Sequence, residues 1–270
     1  MVKNVSPAFG PMLRQWRAAH GMSQLDLALT AGVSSRHISF IETGRSRPSR
    51  GMVLRLAETL ELPLRERNAL LVTAGFAPVF RESDLASGDL SPIRRALELV
   101  LASHDPFPAF VFDRAWNILL ANRAHDRLLP ALLPDGAELS EPVNVVQLVL
   151  DPALVRPRIV NWQLVAHVLG HRVQRQLRAP LISPGLREHF EQLLSYPGVR
   201  EAMDEVQAPP DAAVVIPLEL ELAGRRLAWF STIATIGTPQ DVTVDELCLE
   251  SMFPANDETE RFARTLPTTE

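Results

Sequence analysis

Ser35, Arg36, His37, Ser39 and Phe40 place four hydrogen-bonding side chains and one aromatic ring within six consecutive positions. Those types suit the edges of base pairs: an arginine fork matches guanine O6 and N7, hydroxyls pair with several bases, and an aromatic ring packs on a thymine methyl or a sugar. Arg14, Arg17, Arg45, Arg47 and Arg50 flank the same segment and carry the charge that attracts phosphates. Gln24 stands at the start of a helical pattern, where an amide and backbone N–H groups hold a phosphate. The chemistry implied is non-covalent reading of double-stranded DNA, weakening as salt rises.

Two short helices must hold these groups. Ser23 is placed to cap the first, with the Asp26 carboxylate in its opening turn where the helix dipole favours it. Gly32 supplies the turn, because a left-handed backbone is cheap only without a Cβ. Val33 plugs the angle, Ser34 or Ser35 caps the second helix, and Ile38 and Ile41 face inward three residues apart. The set Gln24, Ala28, Gly32, Val33, Ile38, Ile41, Glu42, Gly44 and Pro48 resembles the signature of lambda-repressor/Xre-type helix-turn-helix domains. That resemblance implies an all-α head of five helices, here Phe9–His20, Gln24–Ala31, Ser35–Thr43, Arg50–Leu60 and Arg65–Ala74.

Charge agrees with this division. Residues 1–82 hold eleven Lys and Arg against six Asp and Glu, a net +5, whereas the remainder holds 16 against 26, a net −10. The basic part faces DNA. With 270 residues and 46% hydrophobic content there is enough apolar material for a second core. The polar run RESDLASGDLSP reads as a boundary, giving a DNA-binding domain over 1–82, a linker over 83–92 and a second domain over 93–270.

The second domain mixes elements. A helix over Pro92–Ser103 precedes a short apolar strand, a strand at Ile118–Ala121 and a helix beginning near Asn122. Helical patterns cover Arg158–Arg178 and Pro184–Leu194, and Ala213–Leu222 with Arg226–Ile236 read as an antiparallel hairpin turning at Ala-Gly. Thr243 and Glu246 suggest a capping box opening a helix through about Ser251. The expected class is α+β, one antiparallel sheet with helices gathered on one face.

The run FPAFVFDRAWNILLANRAHDRLL resembles the opening of a PAS-like domain, and with the Xre-type head and the connecting RNALLVTAGFAP the chain resembles the MmyB-like family of bacterial regulators. The resemblance implies a C-terminal PAS-like sensor for an apolar small molecule, with long-chain fatty acids the favoured class and no required cofactor. Phe110, Phe112, Trp116, Trp229 and Phe230, with Phe107 and Phe253, are aromatics able to line such a cavity or simply to fill a core. His167 and His171 sit four apart on a helix without a third metal ligand in view, so no metal is expected. With Arg172 they are candidates for a polar mouth around an anionic headgroup.

No catalytic residue is assigned, since GxSxG, P-loop, GxGxxG and CxxC patterns are all missing. A single Cys248, no long apolar run and an N-terminus without an apolar core point to a cytoplasmic protein with no membrane partner. Reading a pseudo-palindromic operator calls for a homodimer with recognition helices ~34 Å apart. The alternative is a DNA-binding scaffold whose second domain binds another protein and no small ligand.

Overall fold

Serine caps start three of the first helices in this computed structural model, which describes residues 9–179, 182–206 and 217–265. The Oγ atoms of Ser23, Ser34 and Ser49 accept from the backbone N–H of Asp26, His37 and Met52 at 3.1, 3.2 and 3.2 Å. Each satisfies a donor that the first helical turn leaves without a partner. The helices are α1 (Phe9–Ala19), α2 (Gln24–Thr30), α3 (Ser35–Glu42), α4 (Arg50–Thr59) and α5 (Leu64–Thr73). Ser23 and Asp26 form a reciprocal capping box. Leu13, Leu27, Ile38, Val53, Leu56 and Leu70 close the core without measurable exposure. Gly10 is required by a close approach: a Cβ there would lie 2.3 Å from the Glu42 carbonyl oxygen.

The second unit begins with α6 (Ser91–Ser103), β1 (Ala109–Phe112), β2 (Ile118–Ala121) and α7 (Arg123–Leu132). Then come α8 (Val145–Leu150), α9 (Trp162–Leu177), α10 (Pro184–Leu193), α11 (Val199–Glu205), β3 (Leu218–Leu222) and β4 (Arg225–Ala234). A short α12 (Val242–Glu246) precedes β5 (Cys248–Pro254) and α13 (Asp257–Thr265). The strands form one antiparallel sheet in the order β2-β1-β5-β4-β3. The class is therefore an all-α five-helix head followed by an α+β domain. Side chains from the sheet and from α7, α8, α9, α10 and α11 share two apolar clusters, in which Trp229, Phe190 and Leu220 are fully buried.

Three expectations need correction. The stretch expected to continue a helix to Ser251 is β5, the central strand, bonded to β1 on one edge and β4 on the other; only Val242–Glu246 is helical. Helix propensity yields there to two edges of backbone partners. Residues 83–92 are not a bare linker, because Gly88–Leu90 forms a 3-10 turn and Leu85 and Leu90 are buried. Thr238–Asp245, expected with the second domain, folds with the first: the compact units are Met1–Ser83 with Thr238–Asp245, and Asp84–Gly237 with Glu246–Glu270. Within the first unit Asp245 Oδ2 accepts from Leu64 N at 2.8 Å, capping α5, whose own N-cap Pro63 offers no side-chain acceptor. Val242 N donates to the Arg81 carbonyl at 2.7 Å, and Val242 and Val244 are buried. The hairpin expectation over 213–216 lies outside the described residues, and β3 starts at Leu218.

Candidate functional site

On α3, Ser35 and Arg36 are exposed and His37, Ser39 and Phe40 are half-buried. Ile38 and Ile41 anchor the opposite side at 0% and 1% exposure, fixing which side chains point outward. The Arg36 guanidinium lies over the Phe40 ring, 5.1 Å from its centroid, so these two candidate readers already touch. Arg14, Arg45, Arg47 and Arg50 are exposed.

Arg17 and Gln24 are placed differently from the phosphate contacts expected of them. Glu42, which the sequence marks only as a signature position, is buried and accepts from both. Arg17 donates through Nε to Oε1 at 2.6 Å and through Nη2 to Oε2 at 3.1 Å, while Gln24 Nε2 donates to Oε2 at 2.7 Å. Arg17 Nη1 also donates to the Met22 carbonyl at 2.7 Å. The hydrogen bond and charge of Glu42 push the Arg17 pKa up, although burial opposes them. This bidentate pair with an added amide ties α1, α2 and α3 together. Arg17 is thus turned inward in this structure, because Glu42 needs its charge compensated.

The second unit contains two adjoining cavities of about 180 and 130 Å³. Their walls share Val145, Val149, Leu218, Glu250 and Met252. Most of the lining is apolar; the polar contributors to the larger cavity include Arg172 from α9, Ser231 from β4 and Glu250 from β5. Trp116, also in that wall, has a left-handed backbone at φ +71°, a costly conformation for a large residue. Asp113 holds that turn by accepting from Ala115 N and Asn117 N at 2.8 and 2.9 Å. The Trp116 ring stacks on Phe112 at 5.0 Å, its Nε1 donates to Gln176 Oε1 at 2.7 Å, and the Arg172 guanidinium lies 4.7 Å from its centroid. A strained backbone, a stacked ring and a cation–π contact thus place Arg172 at the wall. Burial pushes the Glu250 carboxyl pKa up, with Ser231 and Arg172 acting against it.

The aromatic candidates divide. Trp116, Trp229 and Phe230 line the larger cavity and Phe110 the smaller, whereas Phe112 contributes as the ring beneath Trp116. Trp229 is fully buried, and its indole N–H has no acceptor among the described residues. The expected polar mouth of three does not assemble. His167 and His171 lie at the carbonyls of Ala202 and Met203 at 3.3 and 3.2 Å, facing α11. The helical period explains this: Val165, Leu169 and Arg172 share one stripe of α9, and the histidines occupy another. Sequence reasoning missed Glu250 and Met252 because their strand reads as a helix, and Val145 and Val149 because their short helix was not foreseen. Asn144, which caps that helix, was the available signal.

The family profile of the MmyB-like transcription regulator ligand binding domain matches residues 93–266, and a helix-turn-helix profile matches residues 13–67. The chain belongs to the MmyB-like transcription regulators. No curated protein matches the chain. The regulator is a DNA-binding protein with a ligand-binding domain, and its families are those of transcription regulators. Among the described residues no helix is long and apolar enough to cross a membrane, and no three His, Cys, Asp or Glu side chains gather as a metal site.

Proposed function

We propose that the regulator is a one-component sensor: a homodimer reads a pseudo-palindromic operator through Ser35, Arg36, His37, Ser39 and Phe40, and a long-chain fatty acid in the second domain biases that reading. The observation that carries the ligand reading is the apolar cavity with Arg172 fixed at its wall by Trp116. An acyl chain gains by leaving water for such walls, and a carboxylate there needs a hydrogen-bonded countercharge. The indole N–H of Trp229, which has no acceptor among the described residues, supports the same reading, since buried donors ordinarily have partners. Arg14, Arg45, Arg47 and Arg50 hold phosphates, and Gln24 joins them only by leaving Glu42. A cytoplasmic location fits a protein that works on DNA. Coupling between ligand and operator is worth ~1–3 kcal/mol, the usual range between linked sites.

Denaturing the purified full chain and analysing the released material by mass spectrometry tests the ligand reading. An acyl acid is expected, together with a raised melting temperature when dodecanoate is added. Empty preparations and an unmoved melting temperature would favour the protein-binding scaffold. Arg172→Ala is expected to weaken dodecanoate binding at least tenfold, and unchanged affinity would remove Arg172 from the site.

A further inference from the structure

Among the described residues lining the two cavities, Glu250 is the one carboxylate, and when ionised it opposes the ligand just proposed. It lines both cavities and shares the wall of the larger one with Ser231 and Arg172, to which it is opposite in charge when ionised. An ionised Glu250 would already compensate Arg172, so a fatty carboxylate arriving beside them would add an unbalanced charge to a site with apolar walls. With a proton on Glu250 the balance reverses: Arg172 faces one carboxylate, the ligand's, and the neutral carboxyl becomes a hydrogen-bond donor to it. We propose that Glu250 sets the headgroup chemistry of this cavity, so that a fatty acid binds as its carboxylate against Arg172 only with uptake of one proton by Glu250, whereas a neutral-headed amphiphile binds without it. This rests on the cavity being the ligand site.

Burial already raises the carboxyl's pKa in the unliganded chain, so the low-dielectric wall itself favours the protonated form. The other titratable and charged groups around Glu250 can be separated from it. Arg172 on α9 is the cation in the wall of the larger cavity. His125 on α7, in the wall of the smaller cavity, has a pKa lowered by burial and is neutral above pH 7. Cys248 on the same strand has a pKa raised by burial above its ordinary 9.0 and keeps its proton in the same range. That leaves Glu250 as the group to which the proposal assigns the proton taken up with the ligand.

The test is calorimetric titration of the full chain with dodecanoate and with dodecan-1-ol from pH 7 to 8.5, in buffers of different ionisation enthalpy. Dodecanoate should take up close to one proton per site and lose affinity approaching tenfold per pH unit, while dodecan-1-ol should take up none and hold its affinity. Glu250→Gln, which keeps the shape and a donor but cannot titrate, should bind dodecanoate with no dependence on pH in this window. Dodecanoate binding to the unaltered chain without proton uptake would overturn the proposal while leaving the cavity reading intact. If neither probe binds, the cavity reading falls and the proposal with it.

Discussion

Glu42 is the residue whose loss should be felt most in the DNA-binding unit. It accepts from Arg17 and Gln24 while buried, so Glu42→Ala leaves a guanidinium half-enclosed without its partner. Breaking such a pair costs about 3–5 kcal/mol, and thermal or urea unfolding of the variant should show a loss of that order. Arg36→Ala has another signature: a guanine preference weakened by ~1–3 kcal/mol at one operator position, with binding to random DNA nearly unchanged. Equal losses on both DNAs in a titration would remove the base-reading role. His125 gives a pH effect of definite sign. Burial lowers its pKa below the ordinary 6.5, so the unfolded chain binds the proton more readily than the folded one. Its contribution to stability is present above 6.5 and is lost as pH falls from there through the lower folded value; His125→Leu should flatten this limb of the melting curve.

At the scale of elements, the head was legible because its signals are local. Ser23, Ser34 and Ser49 precede their helices by one residue, and Gly32 has the φ of +65° that its turn demands. Hairpin β3–β4 was legible for the same reason, its Ala-Gly turn lying at φ +51° and +71°. Strand β5 was not, because Leu, Glu and Met favour helices locally and the distant pairings of Leu249 with Val111 and Ala234, of Glu250 with Phe110 and Ile233, and of Met252 with Ser231 make a strand of them. Glu250 was lost with it, and so was the polar feature of the cavity that bears on ligand charge. The inward turn of Arg17 was hidden too, since its partner Glu42 is 25 positions away. Gly10 allows a sharper test of packing between α1 and α3. Alanine gains up to ~1 kcal/mol of helix propensity, yet its Cβ would fall 2.3 Å from a backbone oxygen. Overpacking of this kind costs about 1–3 kcal/mol, so Gly10→Ala should lower the melting temperature of the head.

For the whole molecule, the charge division of +5 and −10 predicts a DNA affinity governed by salt. Each phosphate contact removed should reduce the slope of log affinity against log salt by ~0.9, which is expected for Arg45→Ala. Arg17→Ala, by contrast, should lose stability through its freed Glu42. The segment Thr238–Asp245 sets the order in which the chain can finish. Asp245 caps α5 from 181 positions downstream of Leu64, so the head emerges from the ribosome long before its last piece does. At the ~5–20 residues per second of synthesis, that interval is roughly 10–35 s. During it α5 lacks the carboxylate that closes its first turn, and the site that buries Val242 and Val244 waits unfilled. A nascent chain interrupted before Thr238 therefore carries an unfinished head, and completion of that head waits on synthesis of most of the ligand-binding domain.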